Sequence, residues 1–242
     1  TKSNVEGNLL WWGKNGCNDK PRYKRFITDT GGMRVPRSWW DSVGTNEDGS
    51  EEIKSLDFEK SDFPHPKPIE LLREVIRIGA PDGGIVVDFF AGSGTTAHAA
   101  FLHNVSSDNR LRVFLVQLPE PLVKSKFKNL AEVTKERLRR AGQKIKDENP
   151  MFAGDLGFRV FKLDSSNIAE WAPDRSDLAG SVQQTIDNLK HDRTESDILH
   201  ELLLKLGLDL CVPIEIKTIA GKTVFSVGGG VLIACLSDTI GA

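Results

Sequence analysis

One segment of the chain, residues 86–98, combines residue types whose spacing suits ligand binding. An apolar run ends at Asp88, two aromatic residues follow, and Gly92 and Gly94 come before a pair of threonines. Glycines let the backbone turn tightly and approach a ligand closely, and a helix that begins after them presents unpaired amide groups. The carboxylate of Asp88 can bind an ammonium group or a ribose hydroxyl. The pattern is typical of a nucleotide-like site at the carboxyl end of a sheet strand.

The residues alone leave two interpretations of this segment open. A phosphate-binding P-loop is excluded, because that motif needs a lysine after its last glycine and the segment contains none. The pattern Gly92-x-Gly94-x-x-Ala97 fits the dinucleotide fingerprint of nicotinamide or flavin enzymes, which expects an acid at the end of the next strand. Here that strand ends at Gln117, and Glu120 comes three residues later. A glycine turn that binds no ligand is the other interpretation.

The elements that must position the segment form a strand–helix–strand unit. Apolar runs predict strands over residues 85–89 and 112–118, and helical spacing predicts a helix over residues 95–103 between them. A preceding helix is predicted over residues 69–78, after the proline-rich and therefore extended residues 62–68. This order indicates an α/β fold, in which the first strand is buried on both faces of a parallel sheet.

The rest of the chain gives weaker patterns. Residues 24–28 indicate a short strand, and residues 122–146 form a basic helical stretch that we expect to be interrupted near Gly142. Further strands and helices follow; strands are predicted over residues 157–163, 223–227 and 231–236, and helices over residues 182–189 and 197–206.

Changes in composition divide the chain into three predicted parts. Residues 1–60 are irregular and rich in Gly, Asn, Asp and Trp, residues 61–148 carry the α/β pattern, and residues 149–242 indicate a small α+β domain. Thr1 does not resemble a natural start, and the chain stops directly after its last predicted strand. We therefore expect it to be a piece of a longer protein.

The overall composition is that of an ordinary globular chain. Hydrophobic residues make up 39% and charged residues 27% of the 242 residues, a length that allows one or two domains. No apolar run reaches the roughly 18 residues that a membrane-spanning helix needs, and residues 1–8 lack the apolar stretch of a secretory signal. Three widely spaced cysteines, Cys17, Cys211 and Cys235, argue against a disulfide framework or a zinc site and favour a reducing compartment.

The net charge of −2 conceals an uneven distribution. Residues 20–37 hold six basic residues and one acid, residues 41–62 hold eight acids and two lysines, and residues 122–148 hold nine basic and four acidic residues. Basic stretches of this kind suit a phosphate backbone, although a solvated surface explains them equally simply. Aromatic residues accompany the first stretch and suit either base stacking or a small tryptophan-rich core. They are Trp11, Trp12, Tyr23, Phe26, Trp39 and Trp40.

Residues 88–96, Asp-Phe-Phe-Ala-Gly-Ser-Gly-Thr-Thr, resemble the S-adenosylmethionine-binding motif of the amino-group DNA methyltransferases. About 20 residues upstream, the sequence His-Pro-Lys-Pro at residues 65–68 is similar to the motif that precedes it in their β-class order. The pair in this order is more specific than either motif alone. Over nearly its whole length the chain resembles the modification (Mod) subunits of type III restriction-modification systems, which are adenine-specific. The supporting stretches are residues 10–14, 114–121, 134–141, 155–165 and 224–229.

The resemblance implies part of a Rossmann-like methyltransferase core, with S-adenosylmethionine as the methyl donor. The matching residues would surround the donor: Asp88, Phe89, Phe90, Ala91, Gly92 and Gly94 at its methionine end, Thr95 and Thr96 near its carboxylate, and His65, Pro66, Lys67 and Pro68 on the other side of the pocket. Lys67 would pair with the carboxylate, unless it is a surface lysine in an extended linker. Many relatives carry an acid for the ribose hydroxyls where this chain has Gln117, and Glu120 either replaces that acid or faces solvent.

One motif of that family is missing from the sequence. The family holds the extruded adenine with an Asp/Asn/Ser-Pro-Pro-aromatic motif, which aligns the amine with the methyl group and stacks on the base. This sequence contains no Pro-Pro dipeptide. In the β-class order that motif precedes the donor motif, with the target-recognition region between them. We therefore expect no catalytic residue in this chain, half of an active site, and no methyl transfer by the chain alone.

The resemblance also implies macromolecular partners. Residues 1–60 would be the C-terminal part of the target-recognition region and would contact double-stranded DNA. The candidate DNA contacts are Arg22, Lys24, Arg25, Arg34 and Arg37. Residues 149–242 would contact a second Mod subunit in a homodimer or the restriction (Res) subunit. We expect a bacterial cytoplasmic protein without a metal or a membrane partner; a nicotinamide or flavin oxidoreductase and a non-catalytic DNA-binding or assembly module are the alternatives.

Overall fold

A computed structural model describes most of the chain, namely residues 8–30, 35–107, 110–170, 175–184 and 189–237. The structure is mixed α/β and forms two units, Thr1–Gly157 and Phe158–Ala242. In the described part, no helix is both long enough and apolar enough to cross a membrane.

The first unit begins with two short strands. Strand β1 (Leu10–Trp11) pairs antiparallel with strand β2 (Arg22–Tyr23), and a single 3-10 turn follows over Ile27–Thr30. The strand predicted over residues 24–28 is therefore wrong. The chain turns there because the carboxylate of Asp29 accepts a hydrogen bond from the backbone amide three residues earlier, at 2.9 Å.

Two helices precede the predicted strand–helix–strand unit. Helix α1 (Asn46–Lys54) begins with a capping box, in which the side chains of Thr45 and Asp48 each accept a hydrogen bond from the other's backbone amide. Helix α1 was not predicted, because its composition is too polar to show a hydrophobic pattern. Helix α2 (Ile69–Gly79) starts directly after Pro68 and confirms the helix predicted over residues 69–78.

The strand–helix–strand order predicted around residues 85–118 is present in the structure. Strand β3 (Ile85–Asp88) and strand β4 (Arg112–Leu115) pair in parallel, and helix α3 (Thr95–Ser106) connects them. Helix α3 packs against α2 on one side, where Ala99 and Ala100 are fully buried. The small alanine side chains allow this close helix packing, which fixes the position of the helix start.

The two-stranded sheet is covered on one face only. Val86 and Val113 pack with the cluster formed by α2 and α3, whereas Ile85, Val87 and Phe114 are 49%, 48% and 45% exposed. Alternate side chains of a strand point to opposite faces, so helices cover one face and the other is open. The prediction that β3 is buried on both faces is therefore wrong for this chain.

A long helix, α4 (Leu130–Glu148), is the last helix of the first unit. The side chain of Asn129 caps it by accepting a hydrogen bond from an amide of its first turn, at 3.0 Å. The helix predicted over residues 122–146 starts later than expected and continues through Gly142 without a break. This glycine faces a neighbouring segment, since a Cβ at Gly142 would lie 3.3 Å from the backbone oxygen of Leu156.

Helix α4 contacts two other elements of the unit through apolar side chains. Val133 and Ala141, both fully buried, pack with Ile53 of α1. Leu138 and Ile145 pack with Ala97 and Phe101 of α3, and these contacts form a second cluster. Helix α4 therefore packs against both α1 and α3.

The described residues of the second unit form a three-stranded antiparallel sheet and two helices. Its elements are α5 (Leu178–Gln184), α6 (Glu195–Lys205), β5 (Ile214–Ile219), β6 (Lys222–Val227) and β7 (Leu232–Ala234), with strand order β5-β6-β7. Leu199 and Leu203 of α6 pack against Phe225 and Val227 of β6, and all four are buried. These contacts form the core of the unit.

Predictions for the second unit were partly right. The helix over residues 197–206 and the strands over residues 223–227 and 231–236 are confirmed within a few residues. The strand predicted over residues 157–163 is wrong, because this alternating segment pairs with no strand in the described part of the chain. Helix α5 lies earlier than the predicted residues 182–189, of which residues 185–188 lie outside the described part. Strand β5 was missed.

Candidate functional site

The loop that joins β3 to α3, residues 89–94, lies at the carboxyl ends of both parallel strands; we call it the glycine loop. The amide of Ala91 donates to the carbonyl of Val116 at 3.2 Å, which anchors the loop beyond the end of β4. Gly92 (φ +54°) and Gly94 (φ +83°) have left-handed conformations. A β-branched residue would be strained at either position. The two glycines are therefore required by the path of the backbone.

The carboxylate of Asp88 organises the start of the glycine loop. Its Oδ1 accepts a hydrogen bond from the amide of Phe90 at 3.0 Å, and its Oδ2 accepts one from the hydroxyl of Thr96 at 2.6 Å. Each oxygen of a carboxylate can accept a further hydrogen bond. The half-buried Asp88 can therefore hold the loop and still bind a cationic or hydroxyl group of a ligand.

Gln117 binds the glycine loop directly. Its side-chain oxygen accepts a hydrogen bond from the amide of Gly92 at 2.7 Å, and its side-chain amide donates to the carbonyl of Leu118 at 3.0 Å. The uncharged side-chain amide of Gln117 is thus hydrogen-bonded to the backbone of the loop. Glu120 is exposed, and it contacts neighbouring segments through its backbone amide and carbonyl. The structure brings Gln117, and not Glu120, to the loop.

Helix α4 supports the glycine loop from the protein interior. The hydroxyl of Thr134 donates to the carbonyl of Gly92 at 2.6 Å. The guanidinium of Arg137 donates through Nη1 to the hydroxyls of Ser93 and Thr95, both at 2.7 Å. Neither Thr134 nor Arg137 was predicted to be a site residue. The available signal was an arginine on the apolar face of α4, between buried positions such as Val133 and Ala141.

Residues 62–68, the proline segment, lie beside the same loop. A Cβ on Gly92 would be 3.2 Å from the ring of Phe63. Pro66 and Pro68 are buried, whereas His65 and Lys67, which alternate with them, are exposed, as expected for an extended segment. The two exposed side chains are therefore free to reach a ligand from outside.

Helix α1 fixes the proline segment in place. The carboxylate of Glu52 accepts a hydrogen bond from the amide of Ile69 at 2.8 Å, directly after the segment. Gly49 is buried against the segment: a Cβ there would lie 2.6 Å from the backbone oxygen of Pro66 and 2.8 Å from the carbonyl carbon of Lys67. The absence of a side chain at Gly49 is what allows the helix and the segment to approach so closely.

The remaining candidate residues of the loop differ in exposure. Phe89 and Phe90 are 68% and 90% exposed, while Ala91 is buried. The side chains of Thr95 and Thr96 are also buried and are bound by Arg137 and Asp88. Only the backbone amides of these two threonines can therefore serve a ligand directly.

Burial sets the pKa values of three groups behind the loop. Desolvation lowers the pKa of His98 to about 3, and the charges of Arg137 and Lys144 contribute, so this imidazole is neutral at physiological pH. Burial lowers the pKa of Arg137 to about 10, against the opposing charge of Glu52. The pKa of Glu52 is raised, first by its own burial and against the hydrogen bond from the amide of Ile69. Arg137 remains a buried cation.

Some residues of the basic stretch over residues 122–148 bind other parts of the first unit. Arg140 donates to the carbonyls of Leu56 and Asp57 at 2.7 and 2.9 Å, and its guanidinium lies 4.6 Å from the centre of the Phe58 ring. Lys144 donates to a hydroxyl one residue beyond the end of α1, at 3.3 Å. Cations are favourable at a helix C-terminus. These contacts give Arg140 and Lys144 a structural role, whereas Lys124, Lys128 and Lys146 of the same stretch are exposed.

The N-terminal basic residues are on the surface. Arg22, Arg25 and Arg37 are exposed, and Lys24 donates to the side chain of Asn8 at 2.6 Å. Arg34 lies outside the described residues. The pairing of β1 with β2 places Trp11 opposite Arg22, and the aromatic residues near them are 38–76% exposed. These aromatic residues are Trp11, Trp12, Tyr23, Phe26, Trp39 and Trp40. Each of them is exposed, so they do not form a tryptophan-rich core.

A cavity of about 360 Å³ lies at the opposite end of α3 from the glycine loop. It is lined by residues 104–107, Arg110 and residues 151–154. None of the candidate residues lines it. Within the described ranges, no group of three or more His, Cys, Asp or Glu side chains could hold a metal ion.

The hydrogen bond between Gln117 and Gly92 leads to a first prediction. Gln117→Leu keeps the side-chain size but removes the acceptor, so the amide of Gly92 loses a bond worth about 1 kcal/mol. Hydrogen exchange in peptides covering residues 90–96 should then be roughly fivefold faster. Gln143→Leu is the matched control, because the Gln143 side chain donates to an exposed aspartate of α4, at 2.7 Å, and not to the loop. Equal exchange in wild type and Gln117→Leu would contradict the prediction.

Comparison with known proteins identifies related sequences. Residues 10–106 match the family model described as DNA methylase. The chain is 31% identical over 191 residues to the type III restriction-modification enzyme StyLTI Mod subunit of Salmonella typhimurium, a match that covers 76% of this chain and 26% of that protein. It is 33% identical over 166 residues to the EcoP15I Mod subunit of Escherichia coli, covering 66% and 24%.

A third relative belongs to another type of system. The type II methyltransferase M.KpnI of Klebsiella pneumoniae is 30% identical over 121 residues, which are 48% of this chain and 29% of that protein. The chain spans about a quarter of the length of the two Mod subunits. By its sequence, the chain belongs to the family of type III restriction-modification Mod subunits.

Proposed function

We propose that this chain forms the donor-binding half of an S-adenosylmethionine-dependent DNA methyltransferase of the type III Mod kind, which methylates adenine at N6. The observation that carries the proposal is the glycine loop. It is anchored to both parallel strands and to α4, and Asp88 and an uncapped helix start face the same end of the sheet. A Rossmann-like core, of which β3, α3 and β4 are part, is the corresponding fold.

The residues present fit the amino-acid end of the donor. Gly94 stands at the N-cap of α3 and no side chain caps this helix, so its first amides are available to a carboxylate. Asp88 has acceptor capacity for an ammonium group. Lys67, exposed on the neighbouring proline segment, has the charge to pair with the same carboxylate. The site thus offers positive groups to the carboxylate and a negative group to the ammonium.

The aromatic and proline residues complete the proposed pocket. Phe89 and Phe90 present exposed rings beside the loop. His65 is exposed from the proline segment, whose Pro66 and Pro68 hold the backbone extended. The donor supplies the methyl group when it is bound; the residues of this chain bind it, orient it and shield one side of it from water.

We propose that the chain alone binds the donor but does not transfer the methyl group. Transfer to adenine needs groups that hold the amine of the extruded base in line with the methyl. The sequence has no Pro-Pro dipeptide, so the motif that supplies those groups in the family is absent from these residues. A whole protein with both motifs would be the active enzyme.

We also propose double-stranded DNA as the partner of the N-terminal surface. Arg22, Lys24, Arg25 and Arg37 lie on a surface with exposed aromatic rings, a combination that suits phosphate contact and base stacking. Arg34 belongs to the same proposal by sequence. For residues 149–242 we propose contact with a second Mod subunit or with a Res subunit, and for the whole protein a location in the bacterial cytoplasm.

Calorimetry with S-adenosylhomocysteine tests the donor site. Wild type should bind this probe, and Asp88→Asn should bind it at least about tenfold less tightly, or roughly 1.4 kcal/mol. The amide that replaces the carboxylate has one acceptor atom instead of two and no negative charge for the ammonium. Glu120→Gln is the control and should bind as wild type does, because Glu120 is exposed and does not contact the loop.

Two outcomes would count against the proposal. Absence of binding by wild type at millimolar probe would contradict the donor site, and salt-dependent DNA binding in that case would favour the non-catalytic DNA-binding module. A purified chain with the absorbance of bound flavin or nicotinamide would favour the oxidoreductase. Family membership supports the methyltransferase over the oxidoreductase.

A further inference from the structure

Arg137 is a fully buried cation directly behind the glycine loop. Its relative exposure is 0%, and it projects from the middle of α4 between Val133 and Ala141, which are also fully buried. Its Nη1 donates to the hydroxyls of Ser93 and Thr95, at 2.7 Å each. A methionine or leucine would fill such a place in a helix interface more cheaply, because a charge loses its hydration when it is buried.

The hydrogen bonds of Arg137 do not neutralise it. Its Nε and Nη2 are buried and have no hydrogen-bond partner in the described part of the protein. Its two partners at Nη1 are neutral hydroxyls. Glu52 stabilises the charge through space, but the carboxylate of Glu52 is itself bound to the amide of Ile69. A buried cation in this arrangement lacks an anion in contact with it.

The contact with Arg137 determines how the two hydroxyls can act. A hydroxyl that accepts from a guanidinium must point its own hydrogen elsewhere. Ser93 Oγ and Thr95 Oγ1 are 3.4 Å apart, so one can donate to the other and the second hydrogen is left for a further acceptor. Both hydroxyls are buried, so the donors that this end of the site offers a ligand are the uncapped amides of α3, with the charge of Arg137 behind them.

We propose that Arg137 is a positioning residue that holds the glycine loop through Ser93 and Thr95 and supplies the positive charge that the carboxylate of the bound donor neutralises. The inference rests on the proposed function, since it concerns the same site. It assigns to α4 a part in recognising the amino-acid group of the ligand. A purely structural role of Arg137 would instead affect every ligand of the loop equally.

Two ligands, one with and one without the amino-acid group, separate these roles. Calorimetry on the 242-residue chain would compare S-adenosylhomocysteine with 5′-methylthioadenosine, which keeps the nucleoside but lacks the amino-acid group. Arg137→Met keeps an unbranched side chain, shorter than that of arginine, and removes the charge. It should weaken binding of S-adenosylhomocysteine at least tenfold and binding of 5′-methylthioadenosine less than threefold. Arg137→Lys restores a cation and should recover part of the lost affinity.

Controls and a second variant keep the test decisive. Arg139→Met changes an exposed arginine on the same helix and should bind both ligands as wild type does. If Arg137→Met does not fold, Ser93→Ala replaces it, because loss of this small hydroxyl removes one of the two hydrogen bonds through which Arg137 holds the loop. Ser93→Ala should also weaken S-adenosylhomocysteine more than 5′-methylthioadenosine.

The outcomes distinguish this inference from the proposed function. Equal losses for the two ligands in the variants, without recovery by lysine, would overturn the role of Arg137 and leave the donor site intact. Failure of wild type to bind either ligand would overturn the proposed function and this inference with it. A selective loss for the carboxylate-bearing ligand would support both.

Discussion

Substituting valine for Gly92 should weaken binding of S-adenosylhomocysteine at least about a hundredfold, or roughly 3 kcal/mol. The φ of Gly92 is +54°, and a side chain costs about 1–2 kcal/mol in this left-handed region, more when it is β-branched. Its Cβ would also lie 3.2 Å from the ring of Phe63. Because the amide and carbonyl of Gly92 bind Gln117 and Thr134, a shift of its backbone disturbs the loop from two sides.

Gly83→Val is the matched control for this variant. Gly83 has a similar φ of +68°, in the turn before β3, but a Cβ there would have no atom within 4 Å. The backbone penalty is therefore similar, and the position is remote from the glycine loop. Calorimetry should show near-normal affinity for Gly83→Val, whereas similar losses in the two variants would mean that general destabilisation, not the loop, lowers the affinity.

Gly49→Ala should destabilise the first unit by about 1–3 kcal/mol. This sign is opposite to the usual one, because alanine stabilises a helix interior by roughly 0.5–1 kcal/mol relative to glycine. The Cβ would lie 2.6 Å from the backbone oxygen of Pro66, so α1 and the proline segment must separate. Displacement of this segment should also weaken donor binding, since Lys67 lies on it.

Urea unfolding followed by tryptophan fluorescence would measure the change in stability. Gly79→Ala is the control: it stands at the end of α2, where a Cβ meets no atom within 4 Å, and should be neutral or slightly stabilising. An increase in stability for Gly49→Ala would show that α1 and the proline segment do not depend on their close contact.

Part of the fold could be predicted because its signals are local. The apolar run that ends at Asp88, followed by two glycines and a helical pattern, predicted β3, the glycine loop and α3 in the right order. The burial of β3 could not be predicted in the same way, since an apolar strand has the same pattern whether one face or both are covered. Its open face depends on what packs there, and the sequence of the strand does not contain that information.

The candidate site shows a similar division. Motif residues such as Asp88 and Gly92 were found by type and spacing. Arg137 was missed because it occurs in a basic stretch, and such stretches usually indicate a solvated surface. Its burial follows from the packing of α4 against the loop. Helix α1, whose Glu52 and Gly49 hold the proline segment, was missed because a polar helix shows its role only through tertiary contacts.

The contacts of α4 determine how far the chain can be shortened before the glycine loop loses its support. The same helix binds Gly92 through Thr134, and it binds the end of α1 through Arg140. Its own packing includes Leu156, against Gly142 and Ile145. A shortened protein that ends within or directly after the helix would lose part of this packing, so a minimal version that keeps the conformation of the loop has to extend beyond Leu156.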